Sequence, residues 1–429
     1  MGCFYVESPA MRMLLRKLEV DTYLGLVAAS SIIRPGVARS GMMREYILRH
    51  RDKGRAGREA HPVMLEIMPE TYGVMVYQED VIKVAHYFAG LDLGEADVLR
   101  RGMSGKFRSR EEFQRVKDRF LENCRKKGYD DGLVAEVWNQ VASFAGYAFA
   151  KGHSASYAVE SYQSLFLRAY YPLEYLVAVL NNGGGFYRPE FYVHEARMLG
   201  GRVHAPCINR SLAVNTIYGI DIYLGFMYLK ELEERVMQRI LAARSKEGLF
   251  ASLEDFLDRV PISIEQASIL IRIDAFRFTG HNQHELLWKA HLYLSRGTQT
   301  GHPKLFPPRQ RSFKIPQLYT SMQETAFTQL ELLGFSLCSP FDLLKEAPGN
   351  GNGSKHLPDY LGRHIDIYGY LVTVKNTHTH KGDRMHFATL TDRYGEVFDT
   401  VLFPPVAAKY PFRGRGIYRF YGKVVSSGF

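Results

Sequence analysis

The sequence is poor in cysteine. Its 429 residues include four cysteines, and no two of them have the spacing of a metal site or of a disulfide framework: Cys3, Cys124, Cys207 and Cys338. Such scattered usage is typical of proteins in a reducing compartment. It argues against a disulfide-stapled secreted domain and against a cysteine-based zinc module.

Long apolar runs are also missing. The residues up to Pro9 contain no basic stretch followed by an apolar one, so we expect no secretory signal peptide. No run approaches the length that crosses a bilayer. We therefore expect a cytoplasmic protein with no membrane partner.

Acidic residues are outnumbered by basic ones. The 55 Lys and Arg residues against 45 Asp and Glu residues give a net charge of +10. This excess favours an anionic partner such as nucleic acid, although a merely basic soluble protein is the alternative. The hydrophobic content of 46% indicates a globular chain, and its length allows roughly two to four domains.

Two other signatures of chemistry are incomplete. The glycine triplet within 181–185 has no strand before it and no lysine–serine pair after it, so it predicts a loop and not a P-loop. His378 and His380 could suggest a helical metal hydrolase, but no third ligand is evident, and this interpretation is the least favoured.

The most informative segment is 144–158, which reads Phe-Ala-Gly-Tyr-Ala-Phe-Ala-Lys-Gly-His-Ser-Ala-Ser-Tyr-Ala. It leads into an apolar helical stretch that we expect to be kinked or broken at Pro172. We predict that Ser154 caps this helix, so that backbone N–H groups favour an anion and Lys151 adds a point charge. The segment indicates a polyphosphate-binding helix start; a tight turn against a core is the alternative.

A second basic cluster occupies 99–106 and reads Leu-Arg-Arg-Gly-Met-Ser-Gly-Lys. Arginine forks match phosphate oxygens, and glycine permits close approach to the backbone. An ordinary solvated basic turn is the alternative interpretation. We predict that the two clusters converge on one concave face through Arg100, Arg101, Lys106, Lys151 and His153.

The first half of the chain has a helical pattern. Residues 8–199 predict mainly helices, starting with a Ser8 cap and Pro9 at the first helical position and including an amphipathic helix over 72–88. Beyond about residue 206 the pattern predicts short paired helices, followed by a Pro/Gly/Arg-rich linker at 297–316.

From about residue 363 the apolar period changes to two and predicts four strands. They lie at 365–374, 386–390, 397–403 and 417–425, with a small helix at 405–410. Four strands with a helix in that place describe most of an OB-fold, and we expect a truncated barrel or a fragment. The predicted fold class is a multidomain, mainly α chain followed by a small β-barrel.

The loop between the first two strands, 375–384, is basic. Its cations are Lys375, Lys381 and Arg384, and the neighbouring strands carry Tyr368, Tyr370 and Phe387. OB-folds bind single strands by pairing such cations with stacking aromatic faces, so we predict single-strand DNA binding here. The alternative is that the aromatic rings fill the core; Tyr368 and Tyr370 share one strand face, and Ile365 and Ile367 share the other.

Five ordered blocks make the sequence similar to the C-family of bacterial replicative DNA polymerases, the alpha subunit of DNA polymerase III. The blocks are Glu7-Ser8, Arg34-Pro-Gly36 with Ser40-Gly-Met42, Tyr72-Gly-Val-Met-Val-Tyr-Gln-Glu79, Leu99-Arg-Arg-Gly-Met103 and 144–158. The resemblance covers nearly the whole chain and is most specific through residue 205.

The resemblance implies an order of domains. It places the palm end and fingers start at 1–60, the fingers at 61–205, a tandem helix–hairpin–helix region at 206–300, a linker with short helices at 301–355 and an OB-fold at 356–429. The basic residues of the two clusters match family positions that line the triphosphate of an incoming deoxynucleotide (dNTP). The implied partners are dNTP, primer-template and single-stranded DNA, and other replisome or damage-tolerance subunits.

A sliding-clamp peptide is a further implication of the resemblance. Within the linker, His302, Leu305 and Phe306 occupy positions of the family's clamp-binding pattern, with histidine in place of its glutamine. Two apolar anchors on a flexible segment can fill a pocket on a partner. A linker whose Leu-Phe pair folds back on the adjacent domain is the alternative.

The sequence departs from the family in two motifs. Ala150-Lys-Gly-His153 stands where the family usually has Asn-Lys-Ser-His, and Lys230-Glu-Leu-Glu-Glu234 stands where it has Lys-Gly-Val-Gly-Glu. Glutamates in place of hairpin glycines obstruct and repel a DNA phosphate. Segments 181–187 and 209–211 lean toward the error-prone relatives.

The family's catalytic aspartates are the main absence. We expect these three palm residues, which bind two Mg²⁺ ions, to lie upstream of Glu7 and outside this sequence. We therefore expect a polymerase portion that is inactive alone and binds dNTP and template within the full enzyme. A non-catalytic DNA-binding or scaffold protein derived from a polymerase is the alternative.

Overall fold

The computed structural model describes residues 1–33, 40–103, 110–144, 150–295, 318–346, 353–379 and 381–426. The chain divides into two compact units. The first comprises Cys3–Tyr170, and the second comprises Tyr171–Phe429 together with Met1–Gly2. Among the described helices, none is long and apolar enough to cross a membrane.

The described part of the first unit is built from helices. They are α1 (Pro9–Leu18), α2 (Tyr23–Ile32), α3 (Met42–Arg51), α4 (Lys53–Glu59), α5 (Pro62–Ile67), α6 (Gln78–Lys83), α7 (Leu93–Met103), α8 (Arg110–Lys126), α9 (Asp131–Ser143) and α10 (Lys151–Tyr170). A π-helical turn, Val84–Phe88, continues α6. The predicted start of α1 is confirmed, because Ser8 Oγ accepts the backbone N–H of Met11 at 3.3 Å.

The segment 72–77 differs from the helix that the sequence pattern predicts over 72–88. It is a connection in which Gly73 has a φ of +74° and the following residues are buried: Val74, Met75, Val76 and Tyr77. Helix α6 begins only at Gln78. The Asp80 carboxylate accepts the backbone N–H groups of Val76 and Tyr77, both at 2.9 Å, and so caps the helix start.

The second unit begins with helices around a small sheet. Its helices are α11 (Pro172–Asn181), α12 (Pro189–Met198), α13 (Glu234–Glu247), α14 (Leu253–Arg259), α15 (Ile264–Arg272), α16 (Gln283–Leu294) and α17 (Met322–Leu332). The sheet has strands β1 (Arg202–His204), β2 (Thr216–Tyr218) and β3 (Asp221–Tyr223); β3 lies in the middle, parallel to β1 and antiparallel to β2. Three-residue strands are too short to show a period-two pattern in the sequence.

The break that the sequence predicts at Pro172 is confirmed. Helix α10 ends at Tyr170, and α11 begins with Pro172 in its first turn, where the missing N–H costs nothing. The residues of α11 and α12 join those of 205–335 in one large hydrophobic core.

The second unit ends in a four-stranded antiparallel sheet that curls into a half-barrel. Its strands are β4 (His364–His378), β5 (Arg384–Thr391), β6 (Val397–Leu402) and β7 (Ile417–Lys423), in the order β6-β5-β4-β7, with α18 (Pro404–Lys409) between β6 and β7. The predicted strands, the small helix and the fold class are confirmed: a mainly helical chain is followed by an OB-like fold.

The two faces of β4 differ as the alternation predicts. Ile365 and Ile367 are buried in a small core with Leu371, Ala388, Leu390 and Phe398. Tyr368 and Tyr370 are half-buried on the opposite face. A bulge at Val372 shifts the register against β5 and restarts the alternation beyond it.

Helix α12 packs against the face of the sheet that carries Tyr370. Arg188, its N-cap residue, donates from Nη2 to the carbonyl oxygens of Leu371 and Val372 at 3.3 and 3.2 Å. The Tyr370 hydroxyl donates to Glu190 Oε1 at 2.6 Å. These bonds join the helical part of the unit to the OB-like sheet.

Gly369 provides a test of the OB-like core. A Cβ at this residue would lie 2.6 Å from Phe398 Cζ and 2.8 Å from Leu390 Cβ, whereas a Cβ at Gly422 of β7 would meet nothing within 4 Å. We expect Gly369→Ala to lower the free energy of unfolding of the sheet by about 1–3 kcal/mol through overpacking. Hydrogen exchange of the β4 amides measures this, with Gly422→Ala as the control. Equal effects of the two substitutions would contradict the packing.

Candidate functional site

The start of helix α10 is occupied by a carboxylate from a distant part of the first unit. The backbone N–H of Lys151 donates to both carboxylate oxygens of Glu79, at 3.0 and 2.9 Å. A helix N-terminus favours negative charge because its first N–H groups lack partners within the helix. Glu79 therefore occupies part of the position that the sequence predicts for a polyphosphate.

The Lys151 side chain is held by the same segment. Its ammonium forms a hydrogen-bonded ion pair with Glu70 and lies 5.2 Å from the centre of the Tyr77 ring. This bond to Lys151 holds the pKa of Glu70 below its usual value. Two carboxylates thus neutralise the cation and the helix start.

Ser154 does not cap α10, contrary to the prediction. The helix begins three residues earlier, at Lys151, and Ser154 is buried within its second turn. There its Oγ accepts the hydroxyl of Ser31 at 2.6 Å. The pattern misled because a serine next to an apolar run is the usual cap signal, whereas this serine joins α10 to α2.

The second basic cluster lies at the end of α7. Arg100 and Arg101 both contact Asp97, at 2.7 and 3.0 Å, and their side chains are about two-thirds buried. Helix α7 packs against α6, which carries Glu79. Both clusters therefore flank α6, but their convergence on one ligand stays a prediction, and Lys106 lies outside the described residues.

The first unit also contains a wide cavity, which lies apart from the predicted dNTP residues. Of those residues, His153 is exposed on the first turn of α10. A cavity of about 1180 Å³ lies elsewhere in the unit and is lined by the block Ser40, Gly41 and Met42, with Arg44, Arg49 and His61. Its described lining includes none of the four described residues of the predicted dNTP site.

The predicted single-strand site lies at one end of the OB-like sheet. Lys375 of β4 stands opposite Phe387 of β5, so both side chains are on the same face, and Phe387 is 45% exposed. Arg384 begins β5 opposite His378, and Lys381 is exposed in the intervening turn. Unlike Phe387, Tyr370 is engaged within the protein, because its hydroxyl donates to Glu190 of α12.

The hairpin 230–234 has an unusual backbone. Glu231 adopts a left-handed conformation with φ +66° and is exposed. Its carbonyl oxygen accepts Gln266 Nε2 at 2.9 Å, and the N–H of Glu233 donates to Gln266 Oε1 at 2.8 Å. The turn keeps a geometry that glycine adopts without strain, although glutamate occupies the position.

Glu231→Gly is expected to raise the free energy of unfolding of the chain by about 0.5–1 kcal/mol. Relief of the left-handed strain outweighs the extra entropy of glycine in the unfolded chain. Chemical denaturation of the second unit provides the measurement. Glu234→Gly, in the first turn of α13, should instead destabilise, because glycine is a poor helix former. A loss of stability in Glu231→Gly would show that the glutamate is not strained.

Several predicted features do not coincide with described structure. The clamp-peptide residues His302, Leu305 and Phe306 lie outside the described residues, as does His380. Within the described ranges, no group of three or more His, Cys, Asp and Glu side chains is placed to hold a metal ion. The clamp peptide and the magnesium requirement of the full enzyme stay predictions.

Glu79 and Glu70 are the site residues that the sequence did not reveal. Glu79 is 72 residues from Lys151 and Glu70 is 81 residues away, so no local spacing connects them. The sequence held one indication of them. Lys151 brings a cation to a helix start with unpaired N–H groups, and such donors require acidic partners somewhere in the fold.

Two segments of the chain match known protein families. Residues 1–128 match the model of the bacterial DNA polymerase III alpha subunit finger domain, and residues 200–286 match that of the helix-hairpin-helix motif. The chain is similar to DNA polymerase III subunit alpha of Saccharopolyspora erythraea, with 33% identity over 71% of this chain and 26% of that protein. It is 28% identical to the Aquifex aeolicus subunit over 94% of this chain and 34% of that protein.

An error-prone DNA polymerase is also among the similar proteins. That of Mycobacterium bovis is 32% identical over 74% of this chain and 29% of its own length. The chain thus spans between a quarter and about a third of the length of these relatives.

Proposed function

Because the chain is homologous to part of the alpha subunit of bacterial DNA polymerase III, we propose that it binds incoming dNTP and template DNA during DNA synthesis. The observation that carries this proposal is the start of helix α10, where Lys151 and a helix N-terminus hold two internal carboxylates. A site that orders two carboxylates around one cation has the electrostatics to receive a polyphosphate.

In this proposal the triphosphate competes with Glu79 for the helix start. The nucleotide phosphates accept the N–H of Lys151, and Lys151 Nζ moves from Glu70 to a phosphate oxygen. Arg100 and Arg101 then exchange Asp97 for the same ligand, and His153 adds a donor. Lys106 completes the set of cations as the family resemblance implies.

Chemistry belongs to the complete enzyme in this proposal. As the family resemblance implies, the Mg²⁺ ions that phosphoryl transfer requires would be held by palm aspartates of the full enzyme. This chain's residues bind and orient the triphosphate and the template. The sliding clamp and further replisome or damage-tolerance subunits are proposed partners on the same basis.

Direct binding of dNTP to the 429-residue chain tests the site. Titration calorimetry should show that Lys151→Ala weakens dNTP binding by about tenfold, since one charge-assisted contact is lost. Glu79→Gln should strengthen it about threefold to tenfold, because removal of the competing charge leaves the helix start more receptive to an anion. Lys126→Ala removes an exposed cation that pairs with Glu122 and should change nothing. Equal affinities of Lys151→Ala and Lys126→Ala would reject the site.

The OB-like sheet supplies the proposed contact with single-stranded template. Lys375, Lys381 and Arg384 neutralise phosphates, and the exposed ring of Phe387 beside Lys375 stacks a base. Phe387 is a better candidate for stacking than Tyr370, because the Tyr370 hydroxyl is bound to Glu190 of α12.

Salt dependence of oligothymidine binding distinguishes these cations from general charge. For the double variant Lys381→Ala/Arg384→Ala of the full chain, we expect the slope of log K against log salt to flatten by about 1.4. Phe387→Ala should cost about 1–3 kcal/mol of binding. The double variant Lys409→Ala/Lys423→Ala carries the same net charge, and both of its sites are exposed on the same domain. If the slope of log K against log salt changes equally in both double variants, the DNA phosphates do not bind specifically at Lys381 and Arg384.

A further inference from the structure

A second cavity, of about 310 Å³, lies within the second unit between α12 and the OB-like sheet. One wall is α12, and a second is the turn 392–395 between β5 and β6. The segment 336–341 closes the third side. The residues that matter for its chemistry are Arg197, Cys338, Phe341, Asp392 and Tyr394.

Arg197 places a positive charge in this cavity. Among the described residues its guanidinium forms no hydrogen bond or ion pair, and the group that acts on it electrostatically is the Cys338 thiol, although Arg197 is partly buried. Burial lowers the pKa of Arg197, which reports the cost of holding this cation away from water. Partly buried guanidinium groups usually have a partner.

The carboxylates around the cavity are already engaged. Asp392 accepts the backbone N–H groups of Ser354 at 2.7 Å and of Tyr394 and Glu396 at 2.9 Å each. Glu190 accepts the Tyr370 hydroxyl and lies 3.8 Å from Arg415 Nη1. Neither of these two described acids forms an ion pair with Arg197, so the unmatched charge of the cavity is positive.

The walls are fixed by close packing. Gly395 has a φ of +89°, and a Cβ there would lie 2.5 Å from Met198 Sδ and 2.9 Å from His194 Cε1. His194 Nε2 lies 2.8 Å from the Gly395 carbonyl oxygen and donates to it. The turn is therefore held against α12, and it presents Tyr394, 57% exposed, at the cavity.

We propose that this cavity binds one nucleotide unit, with its phosphate on Arg197 and its base against Tyr394 and Phe341. A guanidinium fork matches phosphate oxygens, and an exposed ring stacks any base. The volume is at the lower end of the range for small-molecule sites. The ligand is either a free nucleotide or one unit of a DNA single strand, and the site is separate from that proposed at α10.

Titration of the 429-residue chain with dTMP and, separately, with oligothymidine tests the proposal. Arg197→Gln should weaken the binding of at least one of these by about tenfold, while Arg197→Lys retains part of the affinity. Thymidine, which lacks the phosphate, should bind at least about tenfold more weakly than dTMP if the ligand is free nucleotide. Because Arg197 forms no hydrogen bond or ion pair with the residues that the structure describes, Arg197→Gln should change the melting temperature little.

A control variant separates this site from general charge. Arg202→Gln removes an exposed arginine that pairs with Asp221 at 2.7 Å and should leave both affinities unchanged. Weakening of dTMP binding supports a free nucleotide, and weakening of oligothymidine binding alone supports a strand. Unchanged binding of both ligands in Arg197→Gln, or an equal loss in Arg202→Gln, would overturn the proposal, whatever the result at α10.

Discussion

The N-terminus of helix α10 must find acceptors, and the first unit is arranged around that requirement. Glu79 accepts the backbone N–H of Lys151, and Glu70 pairs with its ammonium. Glu70 comes before the buried segment 72–77, and Glu79 comes after it. Glu79 can reach the helix start because Asp80 fixes the beginning of α6 through two backbone bonds. The blocks that carry the family resemblance are therefore joined by electrostatics as well as by the core.

Helix α12 has the corresponding position in the second unit. It belongs to the large helical core through Phe191, Tyr192 and Val193, yet its polar side chains bind the OB-like sheet. Arg188 reaches the carbonyls at the β4 bulge, where an extra residue leaves ladder groups without strand partners. The bulge thus provides acceptors for the arginine, and the same helix supplies Arg197 to the cavity beside it.

The sequence predicted elements whose signals are local, and it missed those set by distant contacts. Ser8-Pro9, the break at Pro172 and the period-two strands each depend on a few neighbouring residues, and the structure confirms them. The amphipathic pattern over 72–88 predicted one helix, but its first six residues form a buried connection, and a short buried segment cannot be told from a helical one by periodicity alone. Ser154 predicted a cap, but its partner Ser31 is 123 residues away. The pairing of Lys151 with Glu79 was out of reach for the same reason.

The two proposed sites differ in how far internal groups already neutralise their cations, and this difference affects which ligand each would select. At α10 the cation and helix start already hold carboxylates, so a ligand must exceed two acidic groups in charge, which favours a triphosphate over a single phosphate. At Arg197 no described carboxylate competes, so a single phosphate is sufficient. The difference in internal competition, and not the number of basic residues, would therefore set the charge of the ligand that each site accepts. A chain with a net charge of +10 attracts every polyanion, and such competition is what can distinguish one from another.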